Sequence, residues 1–397
     1  MTRVAFLLLL LAAGAPALAQ ETAARNARFE GAPRIGSADG WSLKPRGRLQ
    51  YDFGHIERPD GVAAAGLGSV DELRRARIGA EGTAPGGFGY VFEIDVAPDV
   101  VEIVDAYLTY KASGRITLTA GQHNNFQSLE ELASSRFSSF VERAAFTDAF
   151  NFERRVGVSG AYVDGPLTAQ LGVFHENFLD IDETDDAVSV DARLVYAPRV
   201  GTAQLHFGGS AHWRDNGPPA ATRYRQRPLV HATDVRFVGT PSLAVERETH
   251  FGVEAAMIRG PVHISGEAHW LKADTAAGPG RTFFGGYAEI GYFLTGETRG
   301  YRNARWDRTR VRRSIEEGGF GAVQATLRWD HLDLESGPVR GGTQNGLQAS
   351  LIWIPTGHVR FMANYARLSY DGAAIAAAGG ERDYTVDVIG VRAQLDW

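Results

Sequence analysis

The feature that most constrains the fold is an alternation of apolar and polar residues that recurs along most of the chain. In one segment Phe92, Ile94 and Val96 alternate with Glu93 and Asp95. The same pattern recurs in residues 43–53, 188–196, 203–213, 347–353 and 389–397. Successive side chains of a β-strand point to opposite faces, so each segment predicts a strand with one apolar and one polar face. About sixteen such segments follow residue 40, and they predict an all-β protein.

The connections between these segments alternate between short and long. Short turns occupy residues 84–87, 164–166 and 259–261. Longer polar stretches occupy residues 54–71, 122–153, 214–245 and 331–343. Short turns at one end and long loops at the other are typical of a transmembrane antiparallel β-barrel. Residues 295–318 depart from this rule, since they lie on the short-turn side but are long and rich in arginine.

A secreted β-sandwich or propeller is the alternative, because its strands also alternate. Three features favour the barrel: the polar faces are densely charged, aromatic pairs such as Tyr107 and Tyr110 lie near strand ends, and the last strand ends at Trp397.

Residues 1–19 combine a basic start, a short apolar run and an Ala-Leu-Ala site, which predicts a cleaved signal peptide. Residues 20–40 then form an N-terminal extension, disordered or contributing one more strand, and residues 41–397 form the barrel.

Arginine supplies nearly all of the basic charge. Of 41 basic residues only Lys44, Lys111 and Lys272 are lysines, and 47 acidic residues give a net charge of −6. A pI near 6.0 argues against nucleic acid as a partner. The absence of cysteine excludes disulfides, thiol nucleophiles and cysteine zinc sites. If polar faces line a lumen, the luminal basic side chains are Lys44, Arg46, Arg48, Arg75, Arg77, Arg115, Arg155, Arg193, Arg328, Arg360 and Arg392.

This distribution favours an anion path through the barrel. Arginine suits it because the planar guanidinium matches phosphate and its charge does not titrate away. We expect the acidic residues mainly in loops such as 180–186, whose spacing lacks the EF-hand pattern and predicts no metal site. We also expect residues 122–153, which carry their own apolar anchors, to fold into the lumen and narrow it. For each arginine taken singly, the alternative interpretation is that it belongs to the solvated wall of an ordinary pore and has no specific role.

These segments resemble the phosphate- and polyphosphate-selective porins, the O/P type of outer-membrane porin. The similarity spans residues 41–397. It is carried by GRLQYD at 47–52, RRARIG at 74–79, GYFLTGE at 291–297 and VRFMANY at 359–365, with shorter matches at 105–107, 121–122, 128–130, 140–143 and 154–157. The resemblance implies a sixteen-stranded barrel with inward-folded loops, and a homotrimer among the lipids of the Gram-negative outer membrane. It also implies passive diffusion of inorganic anions such as phosphate or polyphosphate.

The resemblance further implies which residues line the path. The ladder on the strands would comprise Arg46, Arg48, Arg74, Arg75 and Arg77, with loop-borne members at Arg223, Arg225 and Arg227. Arg136 or Arg143 would narrow the pore, and Asp105 would be a lining acid that weakens anion binding. Residues 295–318 are similar to a family segment that folds into the periplasmic mouth.

Neither a cofactor nor catalysis is expected. A general, non-specific diffusion porin is the alternative function, because Asn124 and Asn125 stand where the family commonly has a basic residue and lysines are few. The eleven histidines are scattered and predict no catalytic arrangement, which argues against an outer-membrane enzyme. An adhesin with a plugged lumen is a third possibility, against which the charged interior argues.

Overall fold

A computed structural model describes residues 31–37, 39–97, 101–181, 186–276 and 278–397. Sixteen long strands dominate this part of the chain. In chain order they are β1 (Ser42–Ile56), β2 (Gly68–Ala84), β3 (Phe88–Asp95), β4 (Glu102–Lys111), β5 (Ile116–Asn124), β6 (Arg154–Asp164), β7 (Leu167–Phe174), β8 (Val188–Tyr196), β9 (Ala203–Thr222), β10 (Leu243–Arg259), β11 (Val262–Thr275), β12 (Arg281–Phe293), β13 (Ala322–Ser336), β14 (Val339–Thr356), β15 (Val359–Asp371) and β16 (Tyr384–Asp396).

The sixteen strands form one closed antiparallel barrel. Each strand pairs with its neighbour in the chain, and β16 pairs back onto β1, with Arg48 opposite Asp396. Large apolar side chains such as Leu49 and Leu327 are exposed on the outer face, whereas alternate polar side chains such as Gln50 are buried inside. The prediction of a sixteen-stranded transmembrane β-barrel is confirmed. Alternation produces this arrangement because one strand face meets lipid and the other meets the lumen.

The two ends of the barrel differ, as predicted, but one predicted loop is wrong. We call the end with the short turns the turn end and the opposite end the loop end. Residues 331–343 are not a long loop, because Gly337 and Pro338 alone join β13 to β14. Gly337 has a φ of 59°, and Gly165 and Gly260 in the other Gly-Pro turns have a φ of 56°. Glycine accepts this φ without steric cost and proline fixes its own φ, so Gly-Pro closes a tight hairpin.

The N-terminal extension adds no barrel strand in the described part of the chain. Ile35–Gly36 forms a two-residue strand beside Ser42 and Leu43. The predicted signal peptide, residues 1–19, lies outside the described residues. Other short strands are Arg199–Val200, Arg225–Gln226 paired with Val238–Gly239, and Gly300–Arg302 paired with Arg305–Asp307. Short 3-10 helices span Ile315–Glu317 and Ala378–Gly380.

Residues 125–153, which we call the inner loop, fold into the lumen as predicted. They contain α1 (Leu129–Leu132) and α2 (Ala145–Ala149). The Glu267 carboxylate on β11 accepts the backbone N–H groups of Leu129 and Glu130 at 3.0 and 2.7 Å, which anchors the start of α1 to the wall. Phe140 and Phe146 are fully buried. The apolar core therefore lies inside the barrel, around the inner loop. No helix in the described residues is long and apolar enough to cross a membrane.

Residues 294–321, which we call the turn-end segment, enter the lumen from the opposite end. Trp306 lies in one apolar cluster with Leu129 and Ala133 of the inner loop. Arg299 donates to the Ser139 hydroxyl of the inner loop. The two inserted segments therefore meet inside the barrel, and together they narrow the path between its ends.

Candidate functional site

Three of the predicted arginines converge on one buried carboxylate. Arg46 Nε lies 2.8 Å from Glu93 Oε2, while Arg48 Nη2 and Arg77 Nη1 lie 3.1 and 3.5 Å from Glu93 Oε1. Asp95, opposite Arg77 in the register of β2 and β3, lies 2.8 Å from Arg77 Nε. We call these five residues the Glu93 cluster. Three guanidinium groups share two carboxylates, so the cluster carries net positive charge.

Two more acids border this cluster. Arg46 Nη1 also lies 3.4 Å from Glu81, which Arg34 shares at 3.6 Å. Asp105, predicted as a lining acid, faces the lumen and pairs with Arg154 at 2.8 Å. Neither carboxylate is free to meet a passing ion alone, because each is already held by a guanidinium group.

A β-bulge brings Arg74 and Arg75 to the same side of the sheet. The register of β1 and β2 shifts between Gln50 and Tyr51, which leaves Arg74 as an extra residue. Arg75 donates to Gln50 Oε1 at 3.0 Å, and Arg74 Nε lies 3.2 Å from Glu142 of the inner loop. Strict alternation would place adjacent residues on opposite faces, and a bulge removes that constraint locally.

Glu142 joins the inner loop to the barrel wall through two arginines. Besides Arg74, it lies 3.2 Å from Arg392 Nη2, which also binds Asp52 at 2.6 Å. Burial disfavours the ionised carboxylate of Glu142, but Arg74, Arg392 and Arg75 outweigh burial and lower its pKa below the usual range. Glu142 therefore stays ionised and holds the inner loop against β2 and β16.

The two predicted constriction arginines have different roles. Arg143 donates to three backbone carbonyl oxygens, those of Glu130, Glu131 and Ala133, at 2.8 to 3.1 Å. Its guanidinium group thus ties the end of the inner loop to α1. Arg136 contacts the wall more weakly, with its Nη1 3.7 Å from Asp396. Of the two, Arg136 is the residue whose charge is less engaged by the protein.

The three predicted loop-borne arginines, Arg223, Arg225 and Arg227, do not share one environment. Arg223 and Arg225 are exposed at the loop end, and neither forms an ion pair with the described residues. Arg227 instead turns to the inner loop, where its Nη1 lies 3.2 Å from Asp148 of α2. The first two arginines therefore remain available to solutes, whereas the third stabilises the inner loop.

Two expectations about charge placement are wrong. Arg115 does not face the lumen, since it lies in the turn before β5, is exposed, and pairs with Asp164 at 3.3 Å. The acidic residues are not confined to loops, because the inward strand faces bury Asp52, Glu93, Asp95, Asp105, Asp191, Glu248, Glu254, Glu267, Glu289, Asp330 and Asp396. These acids alternate with apolar residues just as the luminal arginines do, so their inward direction could have been predicted from the sequence.

The wall formed by β8 to β13 is built from paired charges. Arg193 Nη2 and His206 Nε2 lie 2.6 and 3.1 Å from Glu254 Oε1. Arg328 Nη2 lies 2.6 Å from Glu289 and 2.7 Å from Glu130 of the inner loop. These side chains are almost fully buried and do not line open water, and Arg328 fixes the inner loop to this wall.

Cavities of different size lie near the two ends of the lumen. The larger, about 380 Å³, opens near the loop end and has lining residues of both signs, including Arg155, Arg214, Glu176 and Glu248. A smaller one of about 20 Å³ lies near the turn end beside Arg136 and other basic side chains. The large cavity is roomy enough for hydrated ions, whereas the small one marks the narrowed region.

Comparison with known proteins agrees with this architecture. Residues 43–397 match the family described as phosphate-selective porin O and P. A protein of Caulobacter vibrioides without a characterised function is 46% identical over 380 residues, 93% of this chain and 76% of its own length. Porin O of Pseudomonas aeruginosa is 27% identical over 338 residues, 76% of this chain and 75% of its own. The solved anion-selective porin from Comamonas acidovorans superposes with a TM-score of 0.58 at 12% identity, covering 90% of this chain and 100% of that chain.

The family match and the fold agree on the kind of molecule. A closed barrel with an apolar outer face and a charged interior is a channel architecture of the outer membrane, and both relatives and fold indicate a channel rather than an enzyme. The chain belongs to the phosphate-selective porin O and P family and is an outer-membrane porin.

Proposed function

We propose that this porin mediates passive diffusion of inorganic anions, with phosphate or polyphosphate among them, past the arginines of β1, β2 and the inner loop. The observation that carries the proposal is which arginines keep contact with water. The side chains of Arg46, Arg77 and Arg136 are 14, 11 and 20% exposed, whereas those of Arg193 and Arg328 in the wall of β8 to β13 are 1 and 0% exposed. A solute in the lumen therefore meets the Glu93 cluster and the inner loop rather than Arg193 and Arg328.

Positive charge in excess of the local acids supports the proposal. Glu93 is shared by three arginines. Arg75 binds the neutral Gln50, and Arg360 donates to backbone carbonyl oxygens of the inner loop, so neither forms an ion pair among the described residues. Conduction needs sites that attract an ion without holding it tightly, and guanidinium groups already shared with carboxylates meet that condition.

Arg223 and Arg225 extend the same charge to the loop end. Because they are exposed and unpaired among described residues, they raise the local anion concentration at the entrance. We also propose a homotrimer in contact with outer-membrane lipids, as in the family that the sequence resembles, and export through the predicted signal peptide. The candidate path of Arg46, Arg48, Arg74, Arg75, Arg77, Arg136, Arg143, Arg223, Arg225 and Arg227, with Asp105 beside it, belongs to this proposal.

Ion selectivity in planar bilayers tests the proposal directly. In a KCl gradient the reversal potential should show a preference for chloride over potassium. Added phosphate should then reduce the chloride current at concentrations well below that of chloride if phosphate has its own binding position. A cation-selective channel would contradict the proposal, and chloride preference without phosphate competition would restrict it to general anion diffusion.

A general, non-specific porin is the second candidate. The observation that favours it is the extent of pairing, since Arg48, Arg74, Arg77 and Arg154 all lie within ion-pair distance of a carboxylate. Paired charges attract a passing anion less than free ones do. Equal permeability to potassium and chloride in the same experiment would support this function instead.

A further inference from the structure

We propose that the lumen contains a Zn²⁺ site formed by His212, Glu248 and His250, a role distinct from anion diffusion and independent of it. His212 on β9 lies directly opposite His250 on β10, and Glu248 precedes His250 by two residues and so shares its luminal face. Three potential ligand atoms, one from each side chain, lie within 4.8 Å of one another. All three side chains are buried.

His250 is the observation that points to a ligand. Both of its ring nitrogens are buried without a hydrogen-bond partner, and Nε2 lies 3.9 Å from Glu248 Oε2, too far for a hydrogen bond. The aromatic rings of Phe150 and Phe152 pack against the imidazole and offer it no acceptor. A buried imidazole without partners is unfavourable, and a metal ion coordinated by one ring nitrogen removes part of that cost.

The surrounding residues orient the other two ligands. Asp191 on β8 lies opposite His212 and binds its Nδ1 at 2.9 Å, which leaves Nε2 as the ligand atom. The Tyr224 hydroxyl donates to Glu248 Oε1, which fixes that carboxylate. A carboxylate behind a ligating histidine is the usual outer support of a zinc site, because it sets the tautomer and the ring orientation.

The donor set and the position of the cluster suit zinc. Two imidazoles and one carboxylate form a known zinc ligand set, and zinc imposes no geometry of its own through d-electron effects. Tetrahedral binding needs ligand atoms about 3.3 Å apart, so ligand atoms at the full separation must draw together by about 1.5 Å. All three side chains line the loop-end cavity of about 380 Å³, whose Arg214 is already paired with Glu176.

Zinc titration of the folded, detergent-solubilised porin tests the site. Calorimetry should show one Zn²⁺ bound per chain, reversed by a chelator. His250→Gln and Glu248→Gln remove ligands and should weaken binding at least about tenfold, and Asp191→Asn should weaken it about 10- to 100-fold while leaving all three ligands in place. Far-UV circular dichroism checks that each variant retains its β-structure.

His206→Gln is the matched control. His206 lies on β9 as well, is buried, and contacts Glu254 on β10, but among the described residues that pair belongs to no group of three potential metal ligands. Zinc affinity should be unchanged in this variant. Absence of zinc binding by the wild-type protein, or equal binding by wild type and His250→Gln, overturns the proposal. Equal loss in His206→Gln also overturns it, and Asp191→Asn decides the matter if the ligand variants do not fold.

Discussion

Opposite single-charge changes within the Glu93 cluster test whether luminal arginines set the ion preference. Arg46→Gln removes one positive charge, and Glu93→Gln removes one negative charge from nearly the same place, because Arg46 Nε and Glu93 Oε2 are only 2.8 Å apart. The first variant lowers the charge of the cluster by one unit and the second raises it by one. Both replacements keep a polar side chain; Gln has the size of Glu and is two heavy atoms shorter than Arg.

The expected magnitude follows from Coulomb's law. A unit charge about 4 Å from a passing monovalent ion contributes about 1 kcal/mol in bulk water and about 4 kcal/mol at an effective dielectric constant of 20. The lower figure corresponds to about fivefold in relative permeability. A Debye length of about 8 Å at 0.15 M salt exceeds this contact distance, so screening should not abolish the effect. We therefore expect Arg46→Gln to lower the chloride-to-potassium permeability ratio at least about fivefold and Glu93→Gln to raise it.

Reversal potentials in planar bilayers measure this ratio for each variant under the same gradient. The double variant should return close to wild type, because its two changes cancel in charge. Arg367→Gln is the control, since it removes an arginine from an exposed ion pair with Asp387. If the two single variants shifted the ratio in the same direction, or left it unchanged in folded channels, the role assigned to the Glu93 cluster would be refuted.

Three further changes probe other parts of the lumen. Arg223→Gln combined with Arg225→Gln should reduce chloride conductance at 10 mM KCl but not at 1 M, where the Debye length falls to about 3 Å; an equal loss at both salt concentrations would contradict long-range attraction. Arg143→Lys retains the charge but has all its donors on one nitrogen, whereas Arg143 binds the three carbonyl oxygens through Nε and Nη2, so single-channel recordings should show more closures, and an unchanged record would contradict its tethering role. Trp306→Ala should cost about 3–5 kcal/mol of stability in denaturant titration and raise single-channel conductance, whereas unchanged conductance would show that the turn-end segment does not restrict the lumen.

Alternation was sufficient to predict the barrel because lipid and lumen impose opposite demands on every strand. Alternation did not predict the connection between β13 and β14, because the turn residues determine that part of the structure. Gly337-Pro338 repeats the Gly-Pro pair of the turns at Gly165 and Gly260, and that pair was visible in the sequence. The length of the polar stretch misled the prediction, since β13 and β14 continue through it as paired strands as far as Ser336 and Val339.

The site was harder to predict than the fold because its contacts join residues distant in sequence. Arg74 reaches Glu142 through a bulge that alternation does not reveal. Arg143 was expected to face the path, but it binds carbonyl oxygens whose positions depend on how the inner loop folds. The luminal acids are a different case, because Glu93 and Asp95 alternate with apolar residues as plainly as the arginines do. Their burial follows from the arginines, since a guanidinium group inside a narrow lumen needs a nearby anion.

The turn-end segment accounts for the uneven exposure of the arginines. Its hairpin contacts β8 and β9, where Arg193 donates to the Ala304 carbonyl oxygen and His206 lies 2.6 Å from the Tyr301 hydroxyl. Its Arg308 is bonded to Asp396 on β16. The contacts with β8 and β9 cover the wall opposite the Glu93 cluster, whereas the contact with Asp396 lies next to β1. Arg46 and neighbouring arginines of β2 remain as the partly exposed charges. Within the walls, the charges of buried acids and buried arginines cancel. An ion on the path meets the partly exposed arginines instead. The overall excess of acids in the chain therefore has little bearing on the proposed ion preference.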